Sequence, residues 1–92
     1  MEFEWDEEKR RANLEKHGID FEDAIAIWEA DVVTVPSPQV QHGETRFLAY
    51  GSLDGRVICV VFTHRNRRLR IISARKVRDY ERKSYYKAIG GS

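Results

Sequence analysis

The stretch Thr45-Arg46-Phe47-Leu48-Ala49-Tyr50-Gly51-Ser52-Leu53-Asp54-Gly55-Arg56-Val57-Ile58-Cys59-Val60-Val61-Phe62-Thr63 decides the fold. Asp54-Gly55 suits a tight turn whose central residues have positive φ, and the runs on either side read as strands. The pair therefore predicts a β-hairpin flanked by Leu53 and Arg56. The second run, Arg56 to Thr63, is apolar on both faces, which predicts a central strand. Towards the C-terminus, His64 to Arg67 reads as another turn and Arg68 to Arg75 as a further strand. Asp79 can cap a last helix in which Tyr85, Ala88 and Ile89 keep helical spacing. Three residues on, however, stands Arg82 instead of the Glu or Gln of a capping box.

Towards the N-terminus, Val32 to Val35 is β-branched and predicts a strand that ends in a loop at Pro36-Ser37-Pro38. Asp20 can cap a second helix with an apolar stripe of Phe21, Ala24, Ile25, Ile27 and Trp28. Asp6 can cap a first helix running to about Lys16, with Glu7 and Glu8 where the helix dipole favours acids and Gly18 as the stop. Phe3 and Trp5 alternate with Glu2 and Glu4 as a short opening strand. The expected order is β-α-α-β-β-β-β-α, with the middle strands antiparallel. This is an α+β domain with its helices on one sheet face. The length of 92 residues suits one small domain over 1–89, with Gly90-Gly91-Ser92 as a flexible tail.

The formal net charge is only +1, but the charge is unevenly spread. Residues 1–31 carry four Lys/Arg against eleven Asp/Glu, and residues 32–92 carry twelve against four. Such a split predicts a basic functional face with an acidic flank, and would steer a polyanion to one side of the molecule. The lone Cys59 excludes an internal disulfide and, set in an apolar run, reads as a core residue. The N-terminus is acidic, and no apolar run approaches the roughly 20 residues of a membrane span. The expected location is the cytoplasm.

The basic face is concentrated in Arg65-Asn66-Arg67-Arg68-Leu69-Arg70-Ile71-Ile72-Ser73-Ala74-Arg75-Lys76. Arginine in a strand is costly unless it faces water or an anion, and its planar fork suits phosphate. The stretch reads either as a solvated edge strand or as a surface for a phosphate-bearing ligand. With no metal-ligand spacing and no Gly-rich phosphate loop, the phosphate chemistry open to the chain is metal-free and needs no cofactor. RNA permits it, because the 2′-hydroxyl can attack the neighbouring phosphate. The reaction needs a base, cations around the developing phosphorane and a donor for the leaving oxygen.

His17 can act as base or acid near neutral pH, or simply interact with the last carbonyls of its helix. Glu44 precedes the strand that begins at Thr45 and stands two residues from Arg46, so both point to the same sheet face, as site residues or as an ordinary ion pair. Arg65, Arg68, Arg70 and Arg75 can supply cations. Arg75 has the smallest neighbours and is expected to be partly buried and oriented. Tyr85 and Tyr86 can donate a proton or stack on a base. His42 and His64 fall in expected loops and are weaker candidates. Tyr50, Trp5 and Trp28 read as core.

The chain resembles the BrnT-type toxins of bacterial type II toxin–antitoxin modules. The resemblance is carried by Phe3-Glu4-Trp5-Asp6-Glu7-Glu8-Lys9 and by Asn13-Leu14-Glu15-Lys16-His17-Gly18-Ile19-Asp20-Phe21-Glu22-Asp23-Ala24. It continues through Glu44-Thr45-Arg46, Gly51, Arg70-Ile71-Ile72-Ser73-Ala74-Arg75-Lys76, Glu81-Arg82 and Tyr85. Ile27-Trp28 departs from it at a core position. The resemblance implies a RelE-like fold and a metal-independent endoribonuclease that cuts RNA and arrests translation. It also implies a BrnA-like antitoxin, bound as a heterotetramer around an antitoxin dimer, through which alone operator DNA is reached. On this reading His17, Glu44, Arg46 and Arg75 are catalytic, and Lys16, Arg65, Arg68, Arg70 and Tyr85 bind substrate. A binding module without catalysis, acting as a corepressor, is the alternative.

Overall fold

The structure, a computed structural model, describes residues 1–41 and 43–90. His42 and the last two residues of the expected tail lie outside the described residues. The elements are β1 (Phe3–Trp5), α1 (Glu7–His17), α2 (Phe21–Ala24), a 3-10 helix (Ile25–Glu29), β2 (Val33–Gln41), β3 (Glu44–Leu53), β4 (Arg56–Arg65), β5 (Arg68–Lys76) and α3 (Asp79–Ala88). They form an α+β fold in the expected order, with a five-stranded sheet ordered β1-β5-β4-β3-β2. β4 is central, as its two apolar faces require, and all pairings are antiparallel except β1 with β5.

The turn at Asp54 and Gly55 has φ of 51° and 81°, with Leu53 paired to Arg56. This is the positive-φ geometry that matches strand twist. Asn66 and Arg67 make the next turn, again with positive φ, so His64 and Arg65 belong to β4 rather than to the expected loop. Asp6 caps α1 by accepting from the Glu8 and Lys9 N–H groups, and Gly18 ends it at φ 72°. Asp20 caps α2 in the same way. The expected second helix is shorter than its stripe suggests, because it tightens into the 3-10 helix after Ala24.

β2 continues through Pro36 and Pro38, where a loop was expected. It can do so because it is an edge strand: Pro36 still pairs with Phe47, and the register then slips before Val40, leaving Pro38 outside the ladder.

The core lies between the sheet and α1, α2 and the 3-10 helix. Phe21, Ala24 and Ile27 pack there on Ala49, Val60, Phe62, Ile71 and Ala74, with Phe3, Trp5 and Trp28 against the cluster. Gly51 permits this approach, since a β-carbon there would stand 2.5 Å from Ile27 Cβ. The expectation of all helices on one face holds for these elements but not for α3. Alternation along β3 and β5 turns Tyr50 and Arg75 to the opposite face, and α3 is tied there through Glu81.

Candidate active site

The face of the sheet not covered by the core helices is shaped by two local features of β5. The first is a bulge. Val61 pairs with Ser73 and Phe62 with Ile71, so Ile72 is an extra residue in the ladder. The second concerns the outer edge of β5. β1 covers it only from Leu69 to Ile71, and beyond that Asn13 of α1 takes over. Its buried amide donates to the Ala74 carbonyl, accepts from the Ala74 N–H and donates to the Ile19 carbonyl. One helical turn further on, Lys16 and His17 are thereby brought beside Ser73 and Arg75.

Two clefts result. One, of about 400 Å³, is lined by Lys16, His17, Arg75, Lys76 and Arg78. The other, of about 470 Å³, is lined by Arg46, Leu48, Val61, Ser73, Arg75 and Arg78, together with Ser37 and Gln39 of β2. Arg75 and Arg78 are common to both. Lys16, Arg46, Lys76 and Arg78 make no ion pair among the described residues. The Arg46 Nε is buried with no hydrogen-bond partner there. A cluster of uncompensated cations, one with an unsatisfied donor, is an environment that an anion would complete.

Arg75 is held differently. Its Nη1 and Nη2 each lie 3.0 Å from an oxygen of Glu81, and Nη1 also donates to the Lys76 carbonyl. The Glu81 carboxylate is 7% exposed and further accepts from the Arg78 N–H and the Tyr50 hydroxyl. Its hydrogen bonds from Arg75 hold its pKa at about 2 against the opposing effect of burial. Burial and the neighbouring Glu81 push the Tyr50 hydroxyl well above its usual range.

Of the residues singled out in the sequence, the fold gathers Lys16, His17, Arg46 and Arg75. It does not bring Arg65, Arg68, Arg70, Glu44 or Tyr85 to the clefts. Arg68 and Arg70 pair with Glu2 and Glu4 across the β1–β5 contact, which neutralises the first half of the basic strand. Arg65 is exposed beside the Asn66-Arg67 turn. Glu44 is exposed at the start of β3, lines neither cleft, and makes no ion pair with Arg46. Tyr85 is 4% exposed and donates its hydroxyl to the Asp31 carbonyl, an anchor for α3. His17 makes no hydrogen bond to its helix carbonyls among the described residues, and His64 packs on Phe47 and Phe62 away from the clefts. Cys59 is fully buried, and burial raises its thiol pKa.

Sequence reading missed three residues. Asn13 looks like any polar helix residue. Arg78 stands alone between strand and helix. Glu81 did carry a signal, because it is the third residue of a helix capped at Arg78 rather than at Asp79, and so reaches back to the cap N–H.

The sequence profile of the family described as "Ribonuclease toxin, BrnT, of type II toxin-antitoxin system" matches residues 5–81. The chain belongs to the BrnT family. The matched segment of this BrnT chain holds every cation of the two clefts and ends on Glu81. No curated protein matches the chain. Among the described residues, no helix of this BrnT protein is long and apolar enough to cross a membrane.

Proposed function

We propose that the chain is a metal-independent endoribonuclease of RelE-like fold that cuts RNA, arrests translation in the cytoplasm and is neutralised by a BrnA-like antitoxin. The observation that carries this is the pair of clefts sharing Arg75 and Arg78, with His17 on one side and, on the other, an Arg46 Nε that has no partner among the described residues. The scissile phosphate lies against Arg75 and Arg78. His17 takes the proton of the 2′-hydroxyl as its oxygen bonds to phosphorus. The bond to the 5′-oxygen then breaks, and that oxygen takes a proton from water or from the Lys16 ammonium. Arg46, Arg75 and Arg78 stabilise the extra negative charge of the phosphorane. His17 is a better base than Glu44 here, because only His17 lines a cleft.

The donor set supports a metal-free route. Both clefts are lined by cations and neutral groups, and among the described residues no three His, Cys, Asp or Glu side chains converge as ligands would. The antitoxin, in a heterotetramer around its own dimer, inhibits by covering the clefts with an acidic or apolar segment. It also supplies the contacts to operator DNA. The test is cleavage of RNA by the purified protein in EDTA. The expected products carry a 2′,3′-cyclic phosphate or 3′-phosphate on one fragment and a 5′-hydroxyl on the other. Activity lost in EDTA, restored by Mg²⁺ and leaving 5′-phosphates, would overturn the mechanism. RNA binding with no cleavage would leave a binding module.

A further inference from the structure

A guanidinium has two edges that can each offer a pair of N–H donors to an anion. In Arg75 one edge is taken: Nη1 and Nη2 meet the two oxygens of Glu81, and the second Nη1 hydrogen meets the Lys76 carbonyl. The edge formed by Nε and the second Nη2 hydrogen has no partner among the described residues. Glu81 itself is fixed from three directions. Tyr50 of β3 donates to it at 2.9 Å, the Arg78 N–H donates at 2.9 Å, and Arg75 of β5 grips it end-on. A buried carboxylate with this many donors stays ionised and immobile.

We propose that Glu81 is a positioning residue that presents the open Nε edge of Arg75 to a phosphate in the two clefts. Glu81 touches no substrate. It converts a long, rotamer-rich side chain into a fixed two-donor edge, so the cost of ordering Arg75 is met in the folded protein and not when RNA binds. Its reach to the Arg78 N–H sets the start of α3 at the same time, which fixes the backbone of the second shared arginine. This inference rests on the ribonuclease reading for its effect on turnover, but not for its effect on anion binding.

The test has two arms. In the first, the Nε–Hε signal of Arg75 is followed by NMR during titration with inorganic sulfate, in wild type and in Glu81→Gln. A sharp signal that moves with sulfate in wild type, and is broadened and unresponsive in Glu81→Gln, is expected. An Arg75 signal equally sharp and responsive in both proteins would overturn the proposal, whether or not the protein cleaves RNA. In the second arm, Glu81→Gln is compared in the Arg75 and Arg75→Lys backgrounds. The expected loss in kcat is roughly 30- to 100-fold in the first, with KM changed less than about threefold, and no more than about threefold in the second. Equal losses in both backgrounds would mean a structural role only. If Glu81→Gln does not fold, Glu81→Asp keeps the charge but withdraws the fork, and the same non-additivity with Arg75→Lys is expected. If the wild-type protein cleaves no RNA, the ribonuclease reading fails, and the sulfate titration alone decides for Glu81.

Discussion

Asn13 on α1 holds both backbone groups of Ala74 on β5, donating to its carbonyl at 2.9 Å and accepting from its N–H at 3.1 Å. A side chain thus completes the sheet edge where β1 stops. Because the same helix ends in Lys16 and His17, this pair of residues sets where His17 stands relative to the cleft arginines.

Asn13→Ala leaves three buried backbone groups, the Ala74 N–H and the Ala74 and Ile19 carbonyls, without their partner. It is expected to cost about 3 kcal/mol, which in a domain of this size lowers Tm by more than about 10 °C. Thermal unfolding followed by circular dichroism checks this. Cleavage at a temperature where the variant is still folded should also fall, because His17 loses its anchor.

Gly51→Ala places a β-carbon against Ile27, and the contact is with Ile27 Cβ itself, not with a movable side-chain end. The 3-10 helix must shift to admit it. A loss of about 1–3 kcal/mol is expected in urea unfolding, with the m-value unchanged.

The arginines of β5 should separate cleanly by position. Arg75→Ala is expected to lower the cleavage rate by about a hundred- to a thousand-fold, and Arg75→Lys to recover little of it, since the planar fork is gone. Arg68→Ala removes an exposed ion pair with Glu2, is worth about 0–1 kcal/mol of stability, and should cleave RNA at close to the wild-type rate. Rate measurements on the three folded variants settle it. Equal losses for Arg68 and Arg75 would point back to the whole strand as the binding surface.

Glu81 predicts a particular acid sensitivity. Its folded pKa of about 2 lies below its ordinary value of 4.5, so its ionised form favours the folded state. The contribution is full above about pH 5 and is lost as the pH falls from there towards 2. Urea unfolding of wild type and Glu81→Gln at pH 6 and pH 3 checks this. The wild type should lose more stability over the interval than the variant.

The fold was legible because its signals are local. Asp54-Gly55 demands a particular turn, Val57 to Phe62 demands two apolar neighbours, and Asp6, Gly18 and Asp20 mark helix ends. The course of β2 was not legible, since prolines stop a strand only where the ladder needs their N–H, and whether it does depends on edge position. The site was half legible. Lys16, His17, Arg46 and Arg75 have the right chemistry in the sequence. That Arg68 and Arg70 are already neutralised follows from a parallel pairing of β1 with β5, a contact 66 residues away in the chain. Asn13 and Glu81 act on residues that only folding brings near.

The prolines of β2 have a further consequence. Pro36 and Pro38 carry no N–H, and the strand they interrupt forms one margin of the sheet. A free strand margin is the usual template on which chains stack into fibrils, and a break in its row of donors spoils that template. With two donors missing from its row, this margin is a poor template for a further strand, whereas the clefts lie on the sheet face.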